Sequence, residues 1–156
     1  MHYKNDYKYL ESDMSMKKAD FDIYMLCPVR KATEEQVAFL RGYKQKQEAR
    51  GCWVHYPGDD TVQDDESGGY RICMDHCNEI AHSKTVHAYR VASTGSYVDL
   101  GTALREHQRR GMDILLINRK DVEALVEEQT TKGILKSYER VLLKLDDITK
   151  SSTRMK

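Results

Sequence analysis

Residues 21–57, FDIYMLCPVRKATEEQVAFLRGYKQKQEARGCWVHYP, decide the fold. The apolar run at 21–29 has the character of a buried strand, and Pro28 ends it. Thr33 and Gln36, three residues apart, make the pattern of a capping box. Val37, Leu40 and Tyr43 then recur at helical spacing, and Gly51 supplies the stop. CWVHYP, at 52–57, reads as a second strand that carries the sole tryptophan, Trp53, into the core. A short, wholly apolar strand followed by a helix and another strand is the repeating unit of a parallel sheet covered on both faces.

The same rhythm continues outward from this unit. A polar loop, GDDTVQDDESGG (58–69), leads to a predicted helix over 70–83 with Ile72, Ile80 and either Asp75 or His76 on one face. TVHAYRV (85–91) is a third strand, and STGSYVDLGTALREHQRRG (93–111) is a glycine-containing loop passing into a helix. MDILLIN (112–118) is a fourth strand and the most apolar. Residues 121–148 are helical in pattern, broken near Lys132 and Gly133, with Ile134, Tyr138, Val141, Leu142 and Leu145 as an apolar stripe. This order predicts a doubly wound parallel α/β sheet. Residues 1–20, polar and rich in Tyr and Lys, read as a flexible arm, 21–148 as one domain, and 149–156 as a disordered tail.

Composition narrows the function. The 156 residues carry 25 acidic and 25 basic side chains, a formal net charge of zero. A nonspecific nucleic-acid binder carries a basic excess, so no nucleic-acid partner is expected. No apolar run reaches the roughly 18 residues of a membrane span, and no signal-peptide core is evident, so a cytoplasmic protein without a membrane partner is expected. Cys27, Cys52, Cys73 and Cys77 form no CxxC pair. Cys73, His76 and Cys77 share a helical face, but their spacing is not that of a structural zinc site, and they read as reduced thiols. No metal and no cofactor is expected.

In sheets of this kind ligands sit beyond the carboxyl ends of the strands. Three segments converge there: CPVRKA after the first strand, YPGDDTVQDD after the second and ASTGS after the third. The last opens a helix whose unpaired amides suit an anion. Asp99 has two readings. With Ser96 as N-cap it is a helix-stabilising acid worth about 0.3–1 kcal/mol. Turned toward the crevice, it is a carboxylate suited to glycosyl chemistry at a ribose carbon, with Gly95 and Gly101 clearing its surroundings. His55 and His87 alternate with apolar residues and read as structural histidines.

DIYMLCPVR, YPGDDTVQDD and STGSYVDLGTAL, in that order, resemble the nucleoside 2-deoxyribosyltransferase superfamily, which includes the 2′-deoxynucleoside 5′-phosphate N-hydrolases. The resemblance covers about residues 21–120. It implies a flavodoxin-like (Rossmannoid) fold, a homodimer or homotetramer, and cleavage of an N-glycosidic bond through a glycosyl-carboxylate intermediate. The family's nucleophile, a glutamate before Leu or Ile and Gly, falls on Asp99, an acid one methylene shorter. A shift of about 1 Å in a reacting group can cost on the order of a hundredfold in rate. Tyr24 falls where the family places an aromatic near the sugar. Pro28 and Arg30 fall at a phosphate or sugar contact, and Ser93, Gly95 and Ser96 at the 5′-phosphate loop. The base-holding acid of the preceding helix falls on His76, or on Asp75 if the register slips by one. Asp60, Gln63, Asp64 and the neighbouring Asp65 line the polar loop, from which such side chains can read a base edge. The expected substrate is a nucleoside or nucleotide. The alternatives are a catalytically quiet nucleotide sensor and a glycohydrolase acting on NAD.

Overall fold

The computed structural model describes residues 21–90 and 94–154. Four parallel strands form one sheet: β1 (Phe21–Leu26), β2 (Val54–His55), β3 (Ser83–Ala88) and β4 (Asp113–Leu116), in the order β2-β1-β3-β4. Ile23 pairs with Val54 on one side of β1 and with Thr85 on the other, and Val86 of β3 pairs with Ile114 of β4. The helices are α1 (Glu34–Ala49), a one-turn α2 (Pro57–Asp60), α3 (Tyr70–Ala81), α4 (Thr94–Arg110), α5 (Arg119–Thr131) and α6 (Tyr138–Arg154). The doubly wound parallel α/β architecture is therefore as expected.

Alternation along β1 builds two cores, because successive side chains leave a strand on opposite faces. Ile23, Met25 and Cys27 pack with Leu40 of α1, Val54 and Tyr56. Tyr24 and Leu26 pack with Ile80 of α3, Leu100 and Ala103 of α4, Val122 of α5, and Leu142 and Leu145 of α6. The start of α1 is locally determined: Thr33 accepts from the Gln36 amide, and the Gln36 side chain accepts from the Thr33 amide, closing the capping box.

Two expectations about burial are corrected. Trp53 is 63% exposed. It stands one residue before β2, where its carbonyl accepts from the Asp22 and Ile23 amides and its ring meets the edge of Phe21. The core at this strand is filled instead by Val54, His55 and Tyr56. The apolar stripe of the last helix is also displaced, since Ile134, Tyr138 and Val141 are exposed while Leu142, Leu145, Asp146 and Thr149 are buried. Ile134 precedes α6 altogether.

The buried polar pair on α6 has a clear task. β4 is an edge strand, and its outer amides and carbonyls need partners. Thr149 Oγ1 accepts from the Ile114 amide (3.1 Å) and donates to the Ile114 carbonyl (3.0 Å), and Asp146 Oδ1 accepts from the Leu116 amide (2.9 Å). Arg119 and Lys150 both reach Asp146 Oδ2 at 2.7 Å. For the same reason the expected disordered tail is not found at 149–154: the helix continues to Arg154, held by Thr149. Residues 1–20, 155 and 156 lie outside the described residues, and with them the arm.

Burial alone would raise the Asp146 carboxyl, but the Leu116 amide, Lys150 and Arg119 outweigh it and hold it below its ordinary value. Its contribution is thus present above the unfolded carboxyl's value of about 3.9 and is lost as pH falls through the lower folded value. Asp146→Ala is expected to cost about 3 kcal/mol, read as a lower urea midpoint at neutral pH, with the gap from wild type closing in acid.

Candidate functional site

Asp99 does not cap its own helix. α4 begins at Thr94, so Ser96 lies inside the first turn rather than at the N-cap and Asp99 lies in the second. The helix-capping reading of Ser96 and Asp99 is therefore set aside. Asp99 instead points back across the sheet face. Its Oδ2 accepts from the phenol of Tyr24 (3.1 Å), on the central strand β1, and lies 3.2 Å from Nδ1 of His76 on α3. Three elements distant in sequence thus meet on one oxygen, and neither Tyr24 nor His76 occupies Oδ1. Asp99 is 9% exposed and Tyr24 fully buried.

The surroundings extend the cluster. The Tyr24 ring stacks on His55 (centroids 5.4 Å, planes 6° apart) and meets His76 edge-on (6.1 Å). His55 Nε2 is 2.8 Å from Glu79 Oε2 and 3.2 Å from the Thr61 hydroxyl. Burial, reinforced by Asp99 and Glu79, pushes the Tyr24 phenol well above its ordinary range, so it stays protonated and donates. The Cys27 thiol is pushed up by the same burial and by Asp99, so it serves as packing rather than as a thiolate. Burial disfavours a charged His76, but its bond to Asp99 and the charges of Asp99, Glu79 and Asp75 outweigh this and raise it. His76 Nε2 is buried and meets no hydrogen-bond partner among the described residues.

The other expected site residues are dispersed. Asp75, one position from His76, faces away and pairs with Arg71 (3.0 Å), so the one-residue register slip is not realised. Asp60 accepts from the Tyr56 amide (2.8 Å) and pairs with Lys44 (2.9 Å). Gln63 turns its amide onto the Pro57 and Thr61 carbonyls, and its own carbonyl accepts from Arg30 at 3.4 Å. The Asp64 carbonyl accepts from Arg71 (2.8 Å), and Asp65 accepts from the amides of Ser67 and Ile72 at the start of α3. These groups are spent on the loop backbone and on the side chains of Lys44, Arg30 and Arg71, which answers amides and carbonyls that a long loop would otherwise present unpaired. Pro28 is buried beyond β1, Arg30 is exposed, and Ser96 is buried. Around Gly95 and Gly101 nothing comes within 4 Å of where a Cβ would stand, so each faces open space. Ser93 lies outside the described residues.

No protein-family model matches the chain, and neither does any curated protein or solved structure. The geometry is what the site offers.

Two features escaped the sequence reading. Glu79, half-buried on α3, brings its Oε2 to 2.8 Å from His55 Nε2. Arg90, which follows β3, is 9% exposed and forms an ion pair with Glu139 of α6, while also donating to the Tyr97 hydroxyl (2.6 Å). Its amide and carbonyl are both held by the Asn118 side chain. An arginine at the end of an apolar strand run was the available signal. His87 conforms to the structural reading: burial pushes it down to about 4, and its Nδ1 meets the Tyr43 hydroxyl at 2.7 Å.

A raised His76 carries a pH signature. An unfolded histidine titrates near 6.5, so the Asp99 contact stabilises the fold fully below about pH 6.5 and weakens as pH rises through the higher folded midpoint. In NMR titration the His76 ring is expected to change charge above pH 6.5, and Asp99→Asn to move that midpoint down. An unmoved midpoint would show that Asp99 does not hold the imidazolium.

Proposed function

We propose that the chain cleaves, or transfers at, the N-glycosidic bond of a nucleoside, deoxynucleoside or nucleoside 5′-monophosphate, with Asp99 as the carboxylate nucleophile. The observation that carries this reading is the convergence of Tyr24 and His76 on Oδ2 of Asp99. Two contacts on one oxygen fix the carboxylate plane and leave Oδ1 as the attacking atom. In the first step Oδ1 bonds C1′ while the bond from C1′ to the base nitrogen breaks, its electron pair leaving with the base. The departing base takes up a proton, which a charged His76 can supply. Water or a second base then attacks C1′, its proton passing to the now neutral His76, while the bond from C1′ to Oδ1 breaks and restores the carboxylate. Preorganisation is what the protein adds: a donor that stays protonated, Tyr24, holds the nucleophile without competing for charge.

The reading extends to a homodimer or homotetramer, for which the exposed Val141 and Ile148 on α6 offer apolar surface. A cytoplasmic location accords with the lack, among the described residues, of any helix long and apolar enough to cross a membrane.

A second reading, nucleotide binding without turnover, is favoured by the small exposure of Asp99. Incubation with deoxynucleosides and their 5′-monophosphates, followed by chromatography of free base, separates the two. Base release is expected from wild type, none from Asp99→Asn, and on the order of tenfold to a hundredfold less from Tyr24→Phe. Absence of release from every substrate, with binding retained, selects the sensor, and nicotinamide release from NAD alone would redirect the substrate class.

A further inference from the structure

A separate concavity lies on the α1 side of the sheet, at the carboxyl ends of β3 and β4. It encloses about 720 Å³ between the first turns of α1 and α5. That size falls in the range of small-ligand clefts, and the location is where open parallel sheets bind ligands. Tyr24 and Asp99 belong to the opposite face, in the core that α3, α4 and α6 cover. Tyr89 and Ile117, which line the concavity, pack instead with the α1 core.

Its floor is aromatic. Phe39 and Tyr89 stand with ring centroids 5.5 Å apart, and Phe39 is 49% exposed. A phenylalanine half in water beside a second ring is apolar surface that folding has left uncovered, and a flat ring laid on it would remove that area from water. Its rim is acidic next to the rings. Asp121 from α5 and Glu35 from α1 line the concavity together with Tyr89, and after the larger effect of burial their charges raise the Tyr89 phenol. Glu35 makes no hydrogen bond or ion pair among the described residues, and Asp121 has only a long contact, 3.4 Å, from Asn118. Arg119, also on the rim, is already engaged by Glu123, Asp146 and Asp147. Lys120 is the remaining rim cation. Acceptors beside an open aromatic floor call for a ligand that is planar and carries hydrogen-bond donors on its edge.

We infer that this cleft binds a planar heteroaromatic ring bearing an exocyclic amino group, the chemistry of an adenine-, guanine- or cytosine-type base, stacked on the exposed ring of Phe39, with Tyr89, tilted 44° to Phe39, beside it and its amino edge toward Glu35 and Asp121. The inference is independent of turnover at Asp99 and uses none of its residues.

The test is saturation-transfer NMR and calorimetry on the full chain, with adenosine, cytidine and uridine as probes and inorganic phosphate as the control anion. Adenosine and cytidine are expected to bind more tightly than uridine, which lacks the amino group, and phosphate is expected not to compete. Phe39→Ala is expected to weaken adenosine on the order of tenfold, a typical loss for one stacking partner. Glu35→Gln is expected to shrink the preference over uridine while circular dichroism stays unchanged. Asp99→Asn removes the proposed nucleophile of the other site and should leave this binding intact. Equal binding of the three nucleosides, an unaffected Phe39→Ala protein, or loss of adenosine in Asp99→Asn would each overturn the assignment. Base release by wild type is scored separately, so failure of the glycosidic reading and failure of this cleft give different patterns.

Discussion

A parallel sheet of four strands has two edges, and the outer one at β4 lies under a helix rather than under water. Amides and carbonyls there would be stranded at a cost of about 1–3 kcal/mol each without partners. Side chains of α6 supply them: Thr149 serves both groups of Ile114, and Asp146 serves the amide of Leu116. Much else follows from this. Because Asp146 is fully buried, it needs cations, and it draws Arg119 from the start of α5 and Lys150 from its own helix. The last helix is thereby fixed to the sheet along its length, and Leu142 and Leu145 are brought against the core that also holds Tyr24 and Leu100.

The polar cluster at Asp99 depends on that arrangement. Helix α4 must sit close enough to β1 for a short acid to reach the Tyr24 phenol, and Leu100 and Ala103, both buried, set that distance. Arg90 ties the end of β3 to Tyr97 on α4 and to Glu139 on α6. A buried ion pair of this kind contributes little net stability, since desolvation offsets attraction, but it admits few alternative geometries. The site helix is therefore positioned from one side by apolar packing and from the other by a charged link to the last helix.

The strand–helix rhythm was legible because it is local. Apolar runs mark the strands, and Thr33 with Gln36 announces the first helix through contacts four residues wide. What depended on distant partners was not. Trp53 has every local mark of a core residue, yet among the described residues no helix covers it. Asp146 and Thr149 carried no sign of burial, because nothing near them in the chain reveals that an unpaired strand edge will arrive beside them. At the site, Asp99, Tyr24 and His76 were visible as chemistry-bearing types. Asp60, Gln63 and Asp64 were equally visible, but the Asp60 side chain serves the Tyr56 amide and Lys44, the Gln63 amide serves loop carbonyls and the Asp64 carbonyl serves Arg71, uses indistinguishable from ligand reading until the backbone is traced.

The occupied margin of β4 also limits how copies of this chain can associate. A strand from a neighbour cannot extend the sheet there, since the groups it would zip to are already taken by α6. At the other margin β2 is only two residues long and offers little template. Among the described residues, edge-to-edge polymerisation, the common hazard of open sheets, is thus disfavoured at both ends.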